Sequence, residues 1–354
     1  MDGKGAQKMP FAIKTSGPAV LFTITSFLFT SVLSCCAGQD TANSSEQNRS
    51  LPPSPITYID NLYSIDSKGG SSVWCAGYYG KIYHSSNGGK DWMQQKSNTT
   101  DELYGVAFVN PKKGWVVGRH GTILHTTDGG GTWVAQASPT RASLYEVMFV
   151  DEKNGWATGY GMNGIIIHTA DGGASWSIQK GDEDRLYNSL YFADNLNGWV
   201  VGEYGTIYHT ADGGKTWVKQ ESGVGTVSLY GVFFKDQQRG WAIGMDGIMI
   251  VTEDGGRNWI KKDSGTNKHL YRMKITGDKG WAVGIRGAYI VSSDGGATWK
   301  EMEKAINSKY WFMGITFSDD AQHGWIVGAH GTVVHTSNQG DSWKIVSGVS
   351  IAEE

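Results

Sequence analysis

HTTDGGGTW, His125–Trp133, decides how this chain is read. On its own it offers a histidine, a carboxylate, hydroxyls and a glycine-rich bend, the makings of a metal or phosphate site. But it recurs. HTADGGASW ends at Trp176, HTADGGKTW at Trp217, VTEDGGRNW at Trp259 and VSSDGGATW at Trp299, with looser copies HSSNGGKDW ending at Trp92 and HTSNQGDSW ending at Trp343. Upstream of each copy stands another tryptophan followed by a glycine pair, as in GWVVGRHG around Trp115. These leading tryptophans are Trp74, Trp115, Trp156, Trp199, Trp241, Trp281 and Trp325, spaced 41, 41, 43, 42, 40 and 44 residues apart. A fixed period near 40 marks a repeat fold.

Each unit reads as four short strands. LYGVAFV (Leu103–Val109) alternates apolar and small residues, GWVVG and TILHT are short β-branched runs, and WVAQ follows the DGG bend. Glycine supplies 50 of 354 residues, about twice its usual share, which suits many tight turns with positive φ. Seven four-stranded units predict an all-β, seven-bladed β-propeller over residues 56–348, because a ring of blades covers both faces of every sheet. Residues 349–354 follow as a short tail. The last unit ends with its own WKIVSG strand, so PITYID (Pro55–Asp60) is open to two readings, a latch between first and last blades or a simple lead-in.

The Ser/Thr-x-Asp-x-Gly-x-x-Trp pattern resembles the Asp-box, the bacterial neuraminidase repeat. The resemblance implies that the Asp ties a hairpin turn and the Trp packs between sheets. Asx side chains mimic turn hydrogen bonds, so Asn87, Asp128, Asp171, Asp212, Asp254, Asp294 and Asn338 are expected to be structural. An amide can still accept those bonds but is a poor substitute in catalysis. His84, His125, His168, His209 and His335 share one slot in five blades, with Val251 and Val291 in two others. Ligands of one metal must converge within a few ångströms, whereas equivalent slots spread around a ring. The Walker-type phosphate loop is absent from the sequence. No metal and no cofactor are expected. Cys75 takes a slot filled elsewhere by Val, Ala or Ile and reads as a small buried filler.

The N-terminus is of another kind. Lys4, Lys8 and Lys14 precede the apolar stretch PAVLFTITSFLFTSVLS (Pro18–Ser34), then Cys35 and Cys36. A basic region and a short apolar run read as a secretory signal. VLSC resembles a bacterial lipoprotein signal over residues 1–35, with Cys35 the expected acylated residue, Cys36 the alternative, and an uncleaved membrane anchor the rival reading. Residues 36–55 are polar and aperiodic, a flexible tether whose run from Ala37 to Pro55 reaches about 25 Å as a random coil. The expectation is a membrane-anchored propeller outside the cytoplasm: periplasmic, on the cell surface, or lumenal in a thylakoid. A net charge of −3 gives no warrant for nucleic-acid binding.

The loops opposite the DGG bends vary where the rest repeats, and function on a scaffold concentrates in loops. The turn dipeptides hold Tyr79, Arg119, His120, Glu203, Tyr204, Arg286 and His330, and the inter-blade links bring Arg141, Arg185, Lys268 and Arg272. Arginine and tyrosine are enriched at protein-binding hot spots, so these residues, with Tyr160, are the expected partner-binding face.

GWVVGRHGTILHTTDGGGTW (Gly114–Trp133) and GWVVGEYGTIYHTADGGKTW (Gly198–Trp217) carry a wider resemblance, to the photosystem II stability/assembly factor family. It covers residues 56–348 and implies non-catalytic binding of an early reaction-centre subunit in a photosynthetic host, or of another membrane or periplasmic protein, through an arginine-rich face. The alternative is a sialidase-like glycoside hydrolase with Asp-boxes. Such an enzyme implies an arginine triad and an early Arg-Ile-Pro signature, which this sequence lacks. Glu203 and Asp246, read as matching slots in adjacent blades, with Glu146 near the channel, would be its best acids.

Overall fold

The computed structural model describes residues 55–303 and 305–348. The expected leader, Cys35, the tether up to residue 54 and the tail lie outside them. The described residues form 28 strands, and each sheet consists of four strands consecutive in sequence. Blade one runs Leu62–Lys68, Ser72–Gly77, Ile82–Ser85 and Met93–Gln95, paired antiparallel throughout. Six more blades repeat this order, and the inner strand of blade seven, Phe312–Phe317, packs on that of blade one. The seven-bladed propeller read from the repeats is the observed fold.

Burial follows position within the blade. The second strand is buried along its length, as in Gly114–Gly118, Gly198–Gly202, Gly240–Gly244 and Gly324–Gly328, because neighbouring blades cover both of its faces. The outer strand is short and exposed, as in Ile260–Lys262. The seven leading tryptophans are the largest fully buried side chains. Each indole Nε1 donates across to the bend of the next blade: Trp74 to Gly129 O (2.9 Å), Trp115 to Gly172 O (3.2 Å), Trp156 to Gly213 O (3.4 Å), Trp199 to Gly255 O (3.0 Å), Trp241 to Gly296 O (2.9 Å), Trp281 to Gln339 O (3.0 Å) and Trp325 to Gly88 O (3.1 Å). Five of them also stack on the inner-strand phenylalanine of the next blade, with ring centroids 3.5–3.8 Å apart. The glycine before the tryptophan makes room for the same ring within its own blade. A Cβ on Gly114 would lie 2.4 Å from the Phe108 ring.

The ring closes through PITYID, which is a latch and not a lead-in. Ile56 is buried and its carbonyl accepts from Ser347 Oγ (3.3 Å), while Asp60 O accepts from Gly331 N in blade seven. The buried Asp60 carboxylate accepts from Thr57 N, Tyr83 OH and Lys81 Nζ, which fastens the segment to blade one. Blades one and seven each keep four strands of their own, so closure rests on side chains and loop contacts.

Candidate functional site

In an up-and-down blade, the first–second and third–fourth connections share one end. The second–third turn and the link to the next blade share the other. All seven Asp-box bends therefore fall at one end, called here the bend end. In each canonical copy the network is the same. Thr126 Oγ1 donates to Asp128 Oδ1 (2.8 Å) and accepts from Gly130 N (2.8 Å), while Thr132 N donates to Asp128 Oδ1 (2.9 Å). Asn87 and Asn338 accept the equivalent bonds from Asp91 N and Ser342 N. Hydrogen bonds from the residue four positions on, side chain first and then backbone, pull Asp171, Asp212 and Asp254 down to about 2. These carboxylates hold turns, with Oδ1 taken up by bonds from within the same bend.

The five slot histidines lie flat or tilted against the leading tryptophan of their own blade, with centroids 4.7–5.4 Å away. Burial holds all five below the ordinary imidazole range. Among the described residues no group of three or more His, Cys, Asp or Glu could hold a metal ion. Cys75 is fully buried, and burial pushes its thiol up.

The opposite end, the turn end, is unlike this. In six blades the second residue of the turn is left-handed and not glycine: Tyr79, His120, Tyr204, Asp246, Arg286 and His330, with φ of 53–56°. All six are exposed. Left-handed backbone costs an L-residue about 1–2 kcal/mol. It persists here because the following glycine packs on the incoming link. A Cβ on Gly80 would lie 2.0 Å from Thr99 O, and on Gly247 2.0 Å from Thr266 O. Blade three departs from the pattern: Gly161, Met162 and Asn163 lengthen its turn and, with Thr140, Arg141 and Ala142, line a cavity of about 470 Å³.

The structure separates the arginines that sequence reasoning grouped. Arg119 is paired with Glu102 (3.2 Å), Arg185 lies beside Glu183 (3.7 Å) and over the Tyr204 ring (4.6 Å), and His120 meets Asp101 (2.9 Å). Lys268 is tied to Glu301 (2.7 Å), and the Tyr160 hydroxyl donates to Asp184. Arg141 and Arg286 are exposed and form no ion pair among the described residues. Arg272 is a correction. It sits in the inner strand Leu270–Thr276 and lines the axial channel, where its Nε faces Glu146 of blade three at 3.5 Å and one Nη donates to Tyr230 O and Tyr271 O. The acids read as a pair are corrected too. Glu203 takes the first turn position and accepts from Leu186 N, whereas Asp246 takes the second and contacts His269 (3.4 Å). Glu203 is equivalent to Met245, not to Asp246.

One feature escaped the sequence reading. Tyr63, Tyr104, Tyr145, Tyr230 and Tyr271 occupy one slot near the start of five inner strands. Their rings meet at 5.4 Å (Tyr63–Tyr104), 5.3 Å (Tyr104–Tyr145) and 5.4 Å (Tyr230–Tyr271), and Trp311 stacks on Tyr63. Burial pushes Tyr63 and Tyr271 up to about 12. The inner strands enter from the links, so this aromatic collar rings the channel at the turn end. Its signal was the repeated Leu-Tyr pair opening five units.

A closed Asp-box propeller with one uniform end and one varied, aromatic and basic end defines the class: a rigid seven-bladed scaffold presenting a loop surface. The chain belongs to the photosynthesis system II assembly factor YCF48 family, whose model matches residues 36–124, 91–180, 131–223 and 265–349. Solved structures share the fold. A YCF48 bound to a D1 peptide is 21% identical, with a TM-score of 0.68 over 80% of this chain and 95% of that one. YCF48 from Cyanidioschyzon merolae is 19% identical, with a TM-score of 0.66 over 80% and 97%. A GH74 xyloglucanase from Xanthomonas campestris reaches a TM-score of 0.68 at 11% identity, over 82% of this chain and 55% of the enzyme. Among curated proteins none matches this chain.

Proposed function

We propose that the protein is a non-catalytic assembly platform whose turn end binds an extended segment of a photosystem II reaction-centre subunit of the D1 kind. The observation that carries this reading is the ring of six exposed, non-glycine residues held left-handed at that end. Backbone strain kept at a surface where glycine would relieve it marks a place where side chains are needed. Family membership and the D1 peptide bound to a YCF48 of the same fold supply the partner. The basic leader and VLSC motif support a membrane-tethered, extracytoplasmic setting, lumenal in a thylakoid, with Cys35 as the lipid-bearing residue. Charge accounting moves the weight within the face from Arg119, already neutralised by Glu102, to Arg141 and Arg286.

The test is binding of a fluorescent D1 peptide to the full chain. Arg141→Glu/Arg286→Glu should weaken it by about tenfold or more, a loss of at least about 1.4 kcal/mol, with the melting temperature unchanged. Unaltered binding would reject this face. The glycosidase alternative gains no support from the acids, since Glu203 and Asp246 hold unequal turn positions and Glu146 is engaged by Arg272.

A further inference from the structure

The channel shows a second feature, independent of the turn-end reading. The inner-strand register stacks its lining in layers. Below the tyrosine collar, Glu146 of blade three meets Arg272 of blade six across the bore, and Glu146 Oε2 also accepts from Leu190 N (2.9 Å). This pair and Tyr145 line the same channel cavity of about 240 Å³ as a lower chamber of Asp66, Met148, Tyr191, Phe233, Lys274 and Thr316.

Lys274 stands among charges of both signs, with Asp66 and Asp319 attracting it and Lys68 repelling it. Arg272 is matched by Glu146. Asp66 accepts from Ser67 N and Phe108 N (2.8 Å each) and lies 4.0 Å from Lys68. Lys274 has no hydrogen-bond or ion-pair partner among the described residues, and its Nζ stands 5.8 Å from the Phe233 ring centroid. Burial lowers its pKa, against the attraction of Asp66. The Tyr191 hydroxyl also has no hydrogen-bond partner among the described residues, while its ring packs edge-on against Phe233 at 5.1 Å. Two unanswered donors thus line one small chamber with apolar walls from Met148 and Phe233. Lys68 and Lys235 lie further toward the bend end, where Asp236 and Asp319 occupy the same strand connections.

We propose that this chamber binds a small free carboxylate, with the Lys274 ammonium and the Tyr191 hydroxyl as its donors. A charge-assisted bond to the ammonium supplies most of the attraction. The cavity has room for about eight waters at about 30 Å³ each, hence for an acid of about four carbons. The Glu146–Arg272 pair narrows the channel, so the occupant is a small free acid and not a polypeptide.

Succinate titrated into the full chain, followed by calorimetry and thermal shift, tests this. Saturable binding with a Kd of order 1 mM is expected, weakened about tenfold or more in Lys274→Met and severalfold in Tyr191→Phe. Dimethyl succinate, which lacks the charge, should not bind. Wild-type affinity in a folded Lys274→Met variant overturns the proposal. So does equal protection by sodium chloride at matched ionic strength, or the absence of saturable succinate binding. Tyr191→Phe keeps the test decisive should Lys274→Met not fold.

Discussion

At the bend end, seven copies of one turn make the same hydrogen bonds; at the turn end, no two connections carry the same side chains. Both ends hang on the same strands, and both need left-handed backbone. The bend end meets that need with glycine pairs in six blades, such as Gly129 and Gly130, Gly172 and Gly173, Gly213 and Gly214, and with Gln339 and Gly340 in blade seven. The turn end meets it with Tyr, His, Asp and Arg. The physical difference is what each side chain faces. The second bend residue faces a glutamine or tryptophan side chain of the preceding blade, as Gly130 faces Gln95 and Gly296 faces Trp241, which leaves glycine as its one workable identity. A turn residue faces solvent and its neighbouring loops, as His120 faces Asp101 and Tyr204 faces Arg185, so several identities fit.

Replacing a tryptophan should break the uniform end most severely. Trp115→Ala removes a fully buried indole, its stack on Phe149 and its bond to Gly172 O, and should cost about 3–5 kcal/mol in urea unfolding. The latch is the one part of the turn end where stability should be equally exposed. Asp60→Ala leaves Lys81 and Tyr83 without their buried acceptor and should cost on the order of 3 kcal/mol by the same measurement. A near-neutral result would mean that the ring holds without its latch.

A smaller effect should run the opposite way. Arg286→Gly relieves left-handed strain and should leave stability unchanged or raise it by up to about 1 kcal/mol, while D1-peptide binding falls. A fall in melting temperature would make Arg286 a scaffold residue and erase the contrast between the ends. The mildest probe is pH. The bend aspartates Asp171, Asp212 and Asp254 have folded values near 2 against an ordinary 3.8. A depressed carboxylate stabilises above its unfolded value, so this contribution is complete above about pH 5 and is lost as pH falls through 4 toward 2. Asp171→Asn should flatten the acid limb of the melting curve with little change at neutral pH, since the amide oxygen still accepts from Ser175 N.

Much of the uniform end was legible because its signals are local. The Asp-box keeps donor, acceptor and turn within seven residues, Thr126–Thr132 in blade two, and the slot histidines betray themselves by recurring at one position of the repeat. The varied end was legible only as variation. Linear sequence could not show that Arg119 has Glu102 for a neighbour or that Arg272 turns into the channel, because those partners come from another strand or another blade. The tyrosine collar lay between these cases. Its Leu-Tyr pairs were visible, but only stacking around an axis makes five separate tyrosines one surface.

The chain's sequence alone determined the number of blades, the four-strand unit and the structural role of the Asp-box residues. Each follows from hydrogen bonds and packing that recur at a fixed spacing. Tertiary structure alone decided how the ring is latched by Asp60, which arginines remain unpaired, and that Glu146 and Arg272 meet in the channel. Those outcomes depend on groups 17 to more than 100 residues apart meeting through the curvature of a closed ring, and no local pattern encodes such a meeting.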